Sequence, residues 1–337
     1  MSNRLNIMLA EQAWILADGS TGTNLFNMGL GAGDAPELWN ETAPDKISKL
    51  YRRAVAAGSD LFLTNSFGSN AARLKLHNAA HRAFQLSSMA AEIGRTVADE
   101  FSRPVIVAGS VGPTGHILAP VGDLSQTDAV EIFHEQAEGL KAGGADVLWL
   151  ETISSTEEFL AAAEAFERTD MAWCGTMSFD TAGRTMMGVT STAMVDLIQS
   201  LPNKPIAFGA NCGTGAADLL RTIQGFAAST PKQPLIAKGN AGIPKYVDGH
   251  IRYDGTPDLM ADYACLARDS GAQIIGGCCG TMPEHMQKMR TALETRKPCP
   301  KPSLNKISQA LGPFSSITDG TEPGKNASKR VRRRRHI

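Results

Sequence analysis

Short apolar runs alternate with amphipathic helical segments eight times along this chain of 337 residues. The predicted strands cover residues 14–17, 60–64, 105–109, 146–151, 172–179, 206–211, 235–239 and 273–277. The predicted helices cover residues 45–57, 80–101, 126–142, 155–168, 191–200, 214–228, 256–270 and 283–295. Strands that are apolar on both faces, each followed by a helix, indicate a parallel sheet covered by helices. Eight such units in about 280 residues predict a (β/α)8 TIM barrel, with an open doubly wound sheet as the alternative.

The barrel pattern ends near residue 297, and a Pro/Gly/Ser-rich extension follows it to residue 337. We expect residues 1–297 to form the barrel domain and residues 298–337 to form an extension with a disordered basic tail. The last 13 residues carry seven basic side chains and no acidic one, which leaves the rest of the chain with a net charge of about −8. Such a body is not a nucleic-acid binder by charge. We interpret the tail as a solvated solubility segment; docking to an acidic partner, or to RNA, is the alternative.

The composition also indicates in which cellular compartment the protein works. No stretch approaches the roughly 20 apolar residues that span a bilayer, and residues 1–12 lack the pattern of a secretory signal. Six cysteines in so long a chain are not typical of a secreted disulfide scaffold. We therefore predict a cytoplasmic protein that has no membrane partner.

Polar side chains collect at, or just past, the carboxyl ends of the predicted strands. Three of them are cysteines: Cys212 follows the sixth strand, and Cys278 and Cys279 follow the eighth. The others are Asp18, Thr64, Asn65, Ser110, Glu151, Asn211 and Asn240. Because the active site of a TIM barrel lies at the carboxyl ends of its strands, we expect these residues to share one site.

The three cysteines are suited to bind one zinc ion. Adjacent residues of a strand point to opposite faces, so Cys278 and Cys279 need a kinked backbone, which the glycines at 276, 277 and 280 permit. Three protein ligands leave the fourth position of tetrahedral zinc open, as in catalytic sites. A zinc ion with three thiolate ligands favours a substrate thiolate over an activated water. The alternative is a set of unconnected buried cysteines.

Five motifs occur in a fixed order: DGSTGTN at 18–24, TNSF at 64–67, LET at 150–152, GANC at 209–212 and GGCCG at 276–280. Together they resemble the homocysteine S-methyltransferase family, which includes the homocysteine domain of cobalamin-dependent methionine synthase and betaine–homocysteine methyltransferase. The resemblance covers residues 10–297. It implies that a zinc-bound homocysteine thiolate attacks a methyl donor and becomes methionine.

The resemblance also implies roles for single residues. Cys212, Cys278 and Cys279 would bind the zinc, and Glu151 and Asp18 would hold the substrate ammonium. The other residues of the predicted substrate site are Gly19, in a turn whose amides would bind the substrate carboxylate, together with Thr64, Phe67 and Asn211. From the residues alone, Asp18 could equally form a turn, Glu151 could be a structural ion-pair partner, and Asn211 could fix a loop.

The methyl donor is open at this point. Betaine enzymes place a tyrosine where this chain has Gly68 and Thr152, so an aromatic cage for a quaternary ammonium is incomplete, although Trp39 or Phe67 could contribute to one. We therefore favour a methylcorrinoid carried by a separate partner protein, with betaine or S-methylmethionine as alternatives. Other classes are a zinc-free aldolase with Lys238 as Schiff-base lysine, a redox protein that uses Cys278 and Cys279 as a vicinal dithiol, and a non-catalytic scaffold.

Overall fold

The computed structural model describes residues 3–247 and 250–320, without the side chains of residues 244–252. Its eight parallel strands are β1 (Ile15–Leu16), β2 (Leu61–Leu63), β3 (Ile106–Val111), β4 (Val147–Ile153), β5 (Trp173–Met177), β6 (Ala207–Cys212), β7 (Leu235–Gly239) and β8 (Ala272–Gly277). Each strand pairs with its sequence neighbours, and β8 pairs with β1. A parallel bridge between Ala17 and Leu61 joins β1 to β2. The predicted TIM barrel is therefore confirmed.

Eight helices follow the eight strands in turn. They are α1 (Pro44–Ala56), α2 (Ala83–Ala98), α3 (Gln126–Ala142), α4 (Thr156–Thr169), α5 (Ser191–Ser200), α6 (Ala216–Ala228), α7 (Pro257–Asp269) and α8 (Pro283–Thr295). Proline occupies the first turn of α1, α7 and α8, where its missing N–H costs nothing. The hydroxyls of Ser125, Ser155 and Thr190 cap α3, α4 and α5.

The core has two layers, as a barrel requires. Inside the barrel, alternate strand residues such as Trp149, Cys174 and Ile236 are fully buried. The helix Arg4–Glu11 closes the amino end of the barrel by packing Leu5 and Met8 against this cluster. A larger outer cluster fills the space between the strands and the helices. Of the cysteines outside the predicted site, Cys174 is buried and Cys299 is exposed.

Several elements were not predicted from the sequence. They include the helices Arg4–Glu11, Thr21–Asn27, Trp39–Thr42, Ala71–Leu74 and Leu304–Leu311, and a hairpin formed by the strands Pro244–Val247 and His250–Tyr253. Each lies outside the regular strand–helix repeat, so the periodicity that predicts the barrel carries no signal for it. The helix Leu304–Leu311 packs on α6 and α7 through Ile307, which is completely buried.

None of the helices in the described part of the chain has both the length and the apolar run that a bilayer crossing needs. The predicted basic tail, with its charges between Lys325 and Arg335, lies outside the described residues.

Candidate active site

The three cysteines that the sequence assigns to one site converge at the carboxyl end of the barrel. Cys212 ends β6, and Cys278 and Cys279 follow β8. Their sulfur atoms all lie within 4.8 Å of one another. The Sγ atoms of Cys212 and Cys279 are 3.6 Å apart. This convergence occurs although β7 lies between the two strands in the sheet.

The chain turns immediately after the cysteine pair, and Gly280 makes the turn. The amide of Cys278 still donates to the carbonyl of Gly239 on β7, at 2.7 Å. Gly280 then has a φ of +78°, and a Cβ there would come within 2.4 Å of Tyr253 Cβ. Gly276 and Gly277 remain inside β8 and do not kink it. The expected kink at the cysteine pair therefore depends on Gly280, which has the left-handed conformation, and not on Gly276 or Gly277.

Cys212 itself has a left-handed backbone, with a φ of +61°, and is followed by Gly213 at +79°. This region is unfavourable for a residue with a Cβ, so the surrounding contacts must hold it. The carbonyl of Gly213 accepts a hydrogen bond from Asn240 Nδ2 at 2.9 Å. The turn points the Cys212 sulfur toward the pair on β8.

The three thiols interact strongly because they are close and largely buried. Hydrogen bonds from Cys212 and Cys278 lower the pKa of Cys279 to about 3. The hydrogen bonds of Cys212 with Cys278 and Cys279 raise the pKa of Cys212. At Cys278, a hydrogen bond from Cys212 favours the thiolate, but Cys279 and burial outweigh it and raise its pKa to about 12. Three thiolates at this separation repel one another, so the donor set fits a divalent cation that offsets their charge.

Asn211 precedes Cys212 and is completely buried. Its Oδ1 accepts from the Thr152 amide at 2.9 Å and from Thr176 Oγ1 at 2.7 Å. Its Nδ2 donates to Thr152 Oγ1 at 2.8 Å and lies 3.8 Å from Cys278 Sγ. These contacts tie β4, β5 and β6 together beside the cysteines. Asn211 thus connects three strand ends, and its role toward the substrate stays a prediction.

Asp18 lies after β1 and is almost completely buried. One carboxylate oxygen pairs with the buried ammonium of Lys238, and the other accepts from the Leu63 amide at 2.8 Å. Burial raises the pKa of Asp18 against the opposing charge of Lys238. Lys238 is thus the ion-pair partner of a carboxylate, which does not suit the nucleophilic lysine of an aldolase.

Glu151 lies near the end of β4 and is also buried. Its Oε1 accepts a hydrogen bond from Ser110 Oγ at 2.5 Å. Burial raises the pKa of Glu151 to about 7, although the charge of Lys238 opposes this. Within the described residues, no lysine or arginine lies within ion-pair distance of its carboxylate. The carboxylate of Glu151 could therefore still form an ion pair with a bound cationic group.

The structure gives the other predicted substrate residues different surroundings. Thr64 is buried, and its hydroxyl contacts Ser66 Oγ at 2.6 Å and the Ser110 amide at 3.0 Å. Phe67 is half-buried and packs on Gly112, where a Cβ would come within 2.6 Å of its ring. Gly19 is equally tight, because a Cβ there would lie 2.8 Å from Thr281 Oγ1.

Tyr253, which sequence reasoning missed, lies beside the site. Its hydroxyl hydrogen-bonds with Cys279, and burial together with the nearby thiolates raises its pKa. The tyrosine lies at the end of the unpredicted hairpin, so no motif marks it. Asn240, which the sequence did place at this rim, has a buried Oδ1 with no hydrogen-bond partner among the described residues. A cation or a polar substrate atom would satisfy that oxygen.

Comparisons with known proteins place the chain in a family. The family model described as Homocysteine S-methyltransferase matches residues 15–293. A methionine synthase of Mycobacterium leprae (strain TN) is 30% identical over 299 residues, which are 84% of this chain and 24% of that protein. A methionine synthase of Mycobacterium tuberculosis (strain ATCC 25618 / H37Rv) is 29% identical over 348 residues, covering 96% of this chain and 29% of that protein. The chain thus spans about a quarter of the length of these relatives.

Solved structures of the homocysteine methyltransferase MmuM from Escherichia coli have the same fold. The metallated form superposes with a TM-score of 0.69 at 24% identity and covers 86% of this chain and 99% of that chain. The oxidized form superposes with a TM-score of 0.68 at 25% identity, covering 88% of this chain and 100% of that chain. The family match spans the barrel and all five motifs, and it confirms the resemblance seen in the sequence. This chain therefore belongs to the homocysteine S-methyltransferase family.

Proposed function

We propose that this chain is a zinc-dependent homocysteine S-methyltransferase that forms methionine. The observation that carries the proposal is the convergence of three cysteine sulfurs within 4.8 Å at the mouth of a barrel of this family. Cys212, Cys278 and Cys279 are the proposed ligands. An all-thiolate donor set selects zinc among the common divalent ions, and three protein ligands leave one position for the substrate.

The metal would keep the homocysteine sulfur deprotonated, and therefore nucleophilic, at neutral pH. The chain's own residues would place the rest of the substrate. Glu151 is the proposed partner of the substrate ammonium, since Ser110 engages one of its oxygens and no lysine or arginine of the described residues lies within ion-pair distance. Asp18 is the weaker candidate for this role, because Lys238 and the Leu63 amide already engage both of its oxygens. Thr64 and Asn211 are proposed to hold the loops around the substrate.

The substrate carboxylate is proposed to bind in the turn that begins at Gly19. Two amides of this turn are already used: that of Ser20 donates to the Thr281 carbonyl, and that of Thr23 donates to Ser20 Oγ. The carboxylate would therefore use the other amides of residues 19–23. Phe67, which follows β2 and is half-buried, is proposed to shield the reacting sulfur from water.

We propose a methylcorrinoid carried by a separate partner protein as the methyl donor. The ring of Trp39 already has the Lys46 ammonium at 4.1 Å, and Phe67 packs on Gly112, so these rings do not supply a betaine cage. Exposed apolar side chains lie in the loops that follow β3, β5 and β7. They are Ile117, Val121, Met186, Met187 and Ile243. A protein that delivers the methyl group over the mouth would cover them.

The second candidate is a small-molecule donor such as S-methylmethionine or betaine. The observation that favours it is that MmuM, a protein named as a homocysteine methyltransferase, matches this chain over 99% of its own length. We further propose that residues 1–297 form the catalytic unit, and that the enzyme works in a reducing compartment such as the cytoplasm, where its thiols stay free.

The test is an assay of the zinc-loaded protein with homocysteine and one donor at a time. Methylcobalamin, S-methylmethionine and betaine are compared, and methionine is measured by mass spectrometry. We expect methionine from methylcobalamin, and fast turnover with betaine or S-methylmethionine would contradict the corrinoid proposal. If no donor yields methionine while zinc is bound, homocysteine methyl transfer itself is wrong.

A further inference from the structure

The chain after the barrel returns to the active-site end. The helix Leu304–Leu311 packs on α6 and α7, and Gln224 of α6 donates to the Pro302 carbonyl at 2.9 Å. Residues 314–320, which we call the C-terminal strap, then pass the start of α6. The first helical residue of α6 is the fourth residue after Cys212. The strap therefore lies close to the loop that carries a proposed metal ligand.

A buried ion pair fastens the strap to this loop. Asp218, in the first turn of α6, accepts from Thr214 Oγ1 at 3.1 Å, from the Ser315 amide at 3.0 Å and from Arg221 at 2.7 Å. The side chains of Asp218 and Arg221 are only 9% and 6% exposed. One carboxylate thus binds the residue two positions after Cys212, the strap and a buried arginine at once.

Arg221 holds the strap by two further contacts. Its Nη1 donates to the Ser316 carbonyl at 2.7 Å, while its Nη2 donates to Asp218. The guanidinium also lies 4.6 Å from the centre of the Phe314 ring, within range of a cation–π interaction. A planar fork that reaches two acceptors and a ring face is a geometry that lysine cannot reproduce.

The other end of the strap packs on the loop between β5 and α5. A Cβ on Gly183 would come within 2.2 Å of the Asp319 carbonyl carbon, and one on Gly320 within 2.4 Å of the Gly183 carbonyl oxygen. The same β5–α5 region contacts the Cys212 loop, since a Cβ on Gly213 would lie 3.1 Å from the Phe179 carbonyl. The strap therefore links the β5–α5 loop to the β6–α6 loop, which begins directly after Cys212.

This arrangement matters because Cys212 has a φ of +61°, which the peptide itself does not favour. We propose that Asp218 and Arg221 are positioning residues for the metal centre: they fasten the strap to the loop after Cys212 and keep its sulfur within ligand reach of Cys278 and Cys279. The inference rests on the proposed metal site, but not on the identity of the methyl donor.

The test compares two buried arginines that each tie the chain after α8 to a helix. Arg221→Gln removes the link at the active-site end. Arg268→Gln is the matched control, because Arg268 is also buried, pairs with Asp269 at 2.9 Å and donates to the carbonyls of Arg296 and Lys297. Arg268 lies at the end of α7, away from the strap.

The readouts are the rate at which zinc passes to a chromophoric chelator, the absorption spectrum of the Co(II)-substituted protein, and the melting temperature. We expect Arg221→Gln to release zinc at least tenfold faster than the wild type and to alter the thiolate-to-cobalt band. Arg268→Gln should melt earlier but release zinc at the wild-type rate. Wild-type release from Arg221→Gln, or equally fast release from both variants, would overturn the proposal.

Arg221→Lys serves if Arg221→Gln does not fold, since it keeps the charge but can engage only one of the two acceptors. We expect it to release zinc at an intermediate rate. A wild-type rate would show that the paired contacts of the Arg221 guanidinium with Asp218 and Ser316 are not needed. If the wild-type protein binds zinc but methylates no homocysteine, the proposed function fails while these release rates still test the strap. If the wild type binds no zinc, both proposals are wrong.

Discussion

Strand β4 has a carboxylate at each end, and the two have opposite surroundings. Asp146, just before the strand, accepts hydrogen bonds at 2.9 Å from both Arg95 and the Val107 amide. Glu151, near the carboxyl end, receives a hydroxyl hydrogen bond from Ser110, and burial raises its pKa to about 7. At the amino end an arginine pairs with the carboxylate, whereas at the carboxyl end we propose that the carboxylate binds the substrate.

The same contrast holds elsewhere around the barrel. At the amino end of β2, Asp60 accepts from Arg103, Arg290 and the Leu16 amide at 3.0–3.1 Å. At the carboxyl end, Cys212 and its two partners place three sulfurs within 4.8 Å of one another. Substitutions at the two ends should therefore separate into losses of stability and losses of chemistry.

The largest effect is expected from Cys212→Ala. With two ligands instead of three, the site should lose zinc at stoichiometric protein, and methionine formation should fall by about 10³-fold or more, because the substrate sulfur is then mostly protonated. Metal analysis and the methyl-transfer assay measure both effects. Cys265→Ala, on α7 and remote from the site, is the control and should keep its zinc. Retained stoichiometric zinc in Cys212→Ala would disprove the assigned ligand set.

Glu151→Gln should weaken homocysteine binding by about 10–100-fold, since a charged hydrogen bond in a buried site is worth roughly 1.5–3 kcal/mol. Zinc content should not change. Isothermal titration of homocysteine into the zinc-loaded protein measures this.

Asp146→Asn, on the same strand, is the matched control. It should leave homocysteine affinity unchanged but lower the free energy of unfolding by about 1–2 kcal/mol, because Arg95 loses a partly buried partner. An affinity loss in Asp146→Asn as large as that in Glu151→Gln would remove the distinction between the two ends.

The pH dependence of homocysteine binding should follow Glu151. Its pKa of about 7 means that the carboxylate is ionised above pH 7 and protonated below it. Because only the ionised form attracts the substrate ammonium, affinity should fall by up to about a further tenfold per pH unit below pH 7, in addition to the change that loss of the thiol proton to the solvent causes in every variant. Glu151→Gln should lack this dependence, so an identical profile in the variant would assign it to another group.

The smallest expected effect is that of Ser110→Ala. The Ser110 hydroxyl stabilises the ionised form of Glu151, so its loss should raise the Glu151 pKa further. The pH at which homocysteine binding is half-maximal should then move upward while the plateau affinity is nearly kept. A downward shift would show that the hydroxyl does not donate to the carboxylate.

The sequence predicted the repeated parts of the fold well, because burial imposes a period on every strand and helix. All eight strands and their helices were located, with boundaries that differ by a few residues. The cysteine site was also predicted, since the carboxyl ends of β6 and β8 must face the same mouth. The family model and the MmuM structures confirm the family and the barrel.

Contacts between distant, non-repeating segments could not be predicted. The pairing of Asp18 with Lys238 joins residues 220 positions apart, and Tyr253 reaches Cys279 from a hairpin outside the repeat. The position of the strap likewise depends on the hydrogen bond from Arg221 to Ser316. Neither α6 nor the strap carries a sequence motif that predicts this contact. Such contacts depend on the assembled barrel rather than on local preference.

X-ray absorption at the zinc edge, with and without homocysteine, tests the central claim most directly. We predict one zinc per chain, with three cysteine sulfur ligands at about 2.3 Å, and a fourth sulfur ligand when homocysteine is added. A first shell with fewer than three sulfurs, or one that homocysteine leaves unchanged, would contradict it.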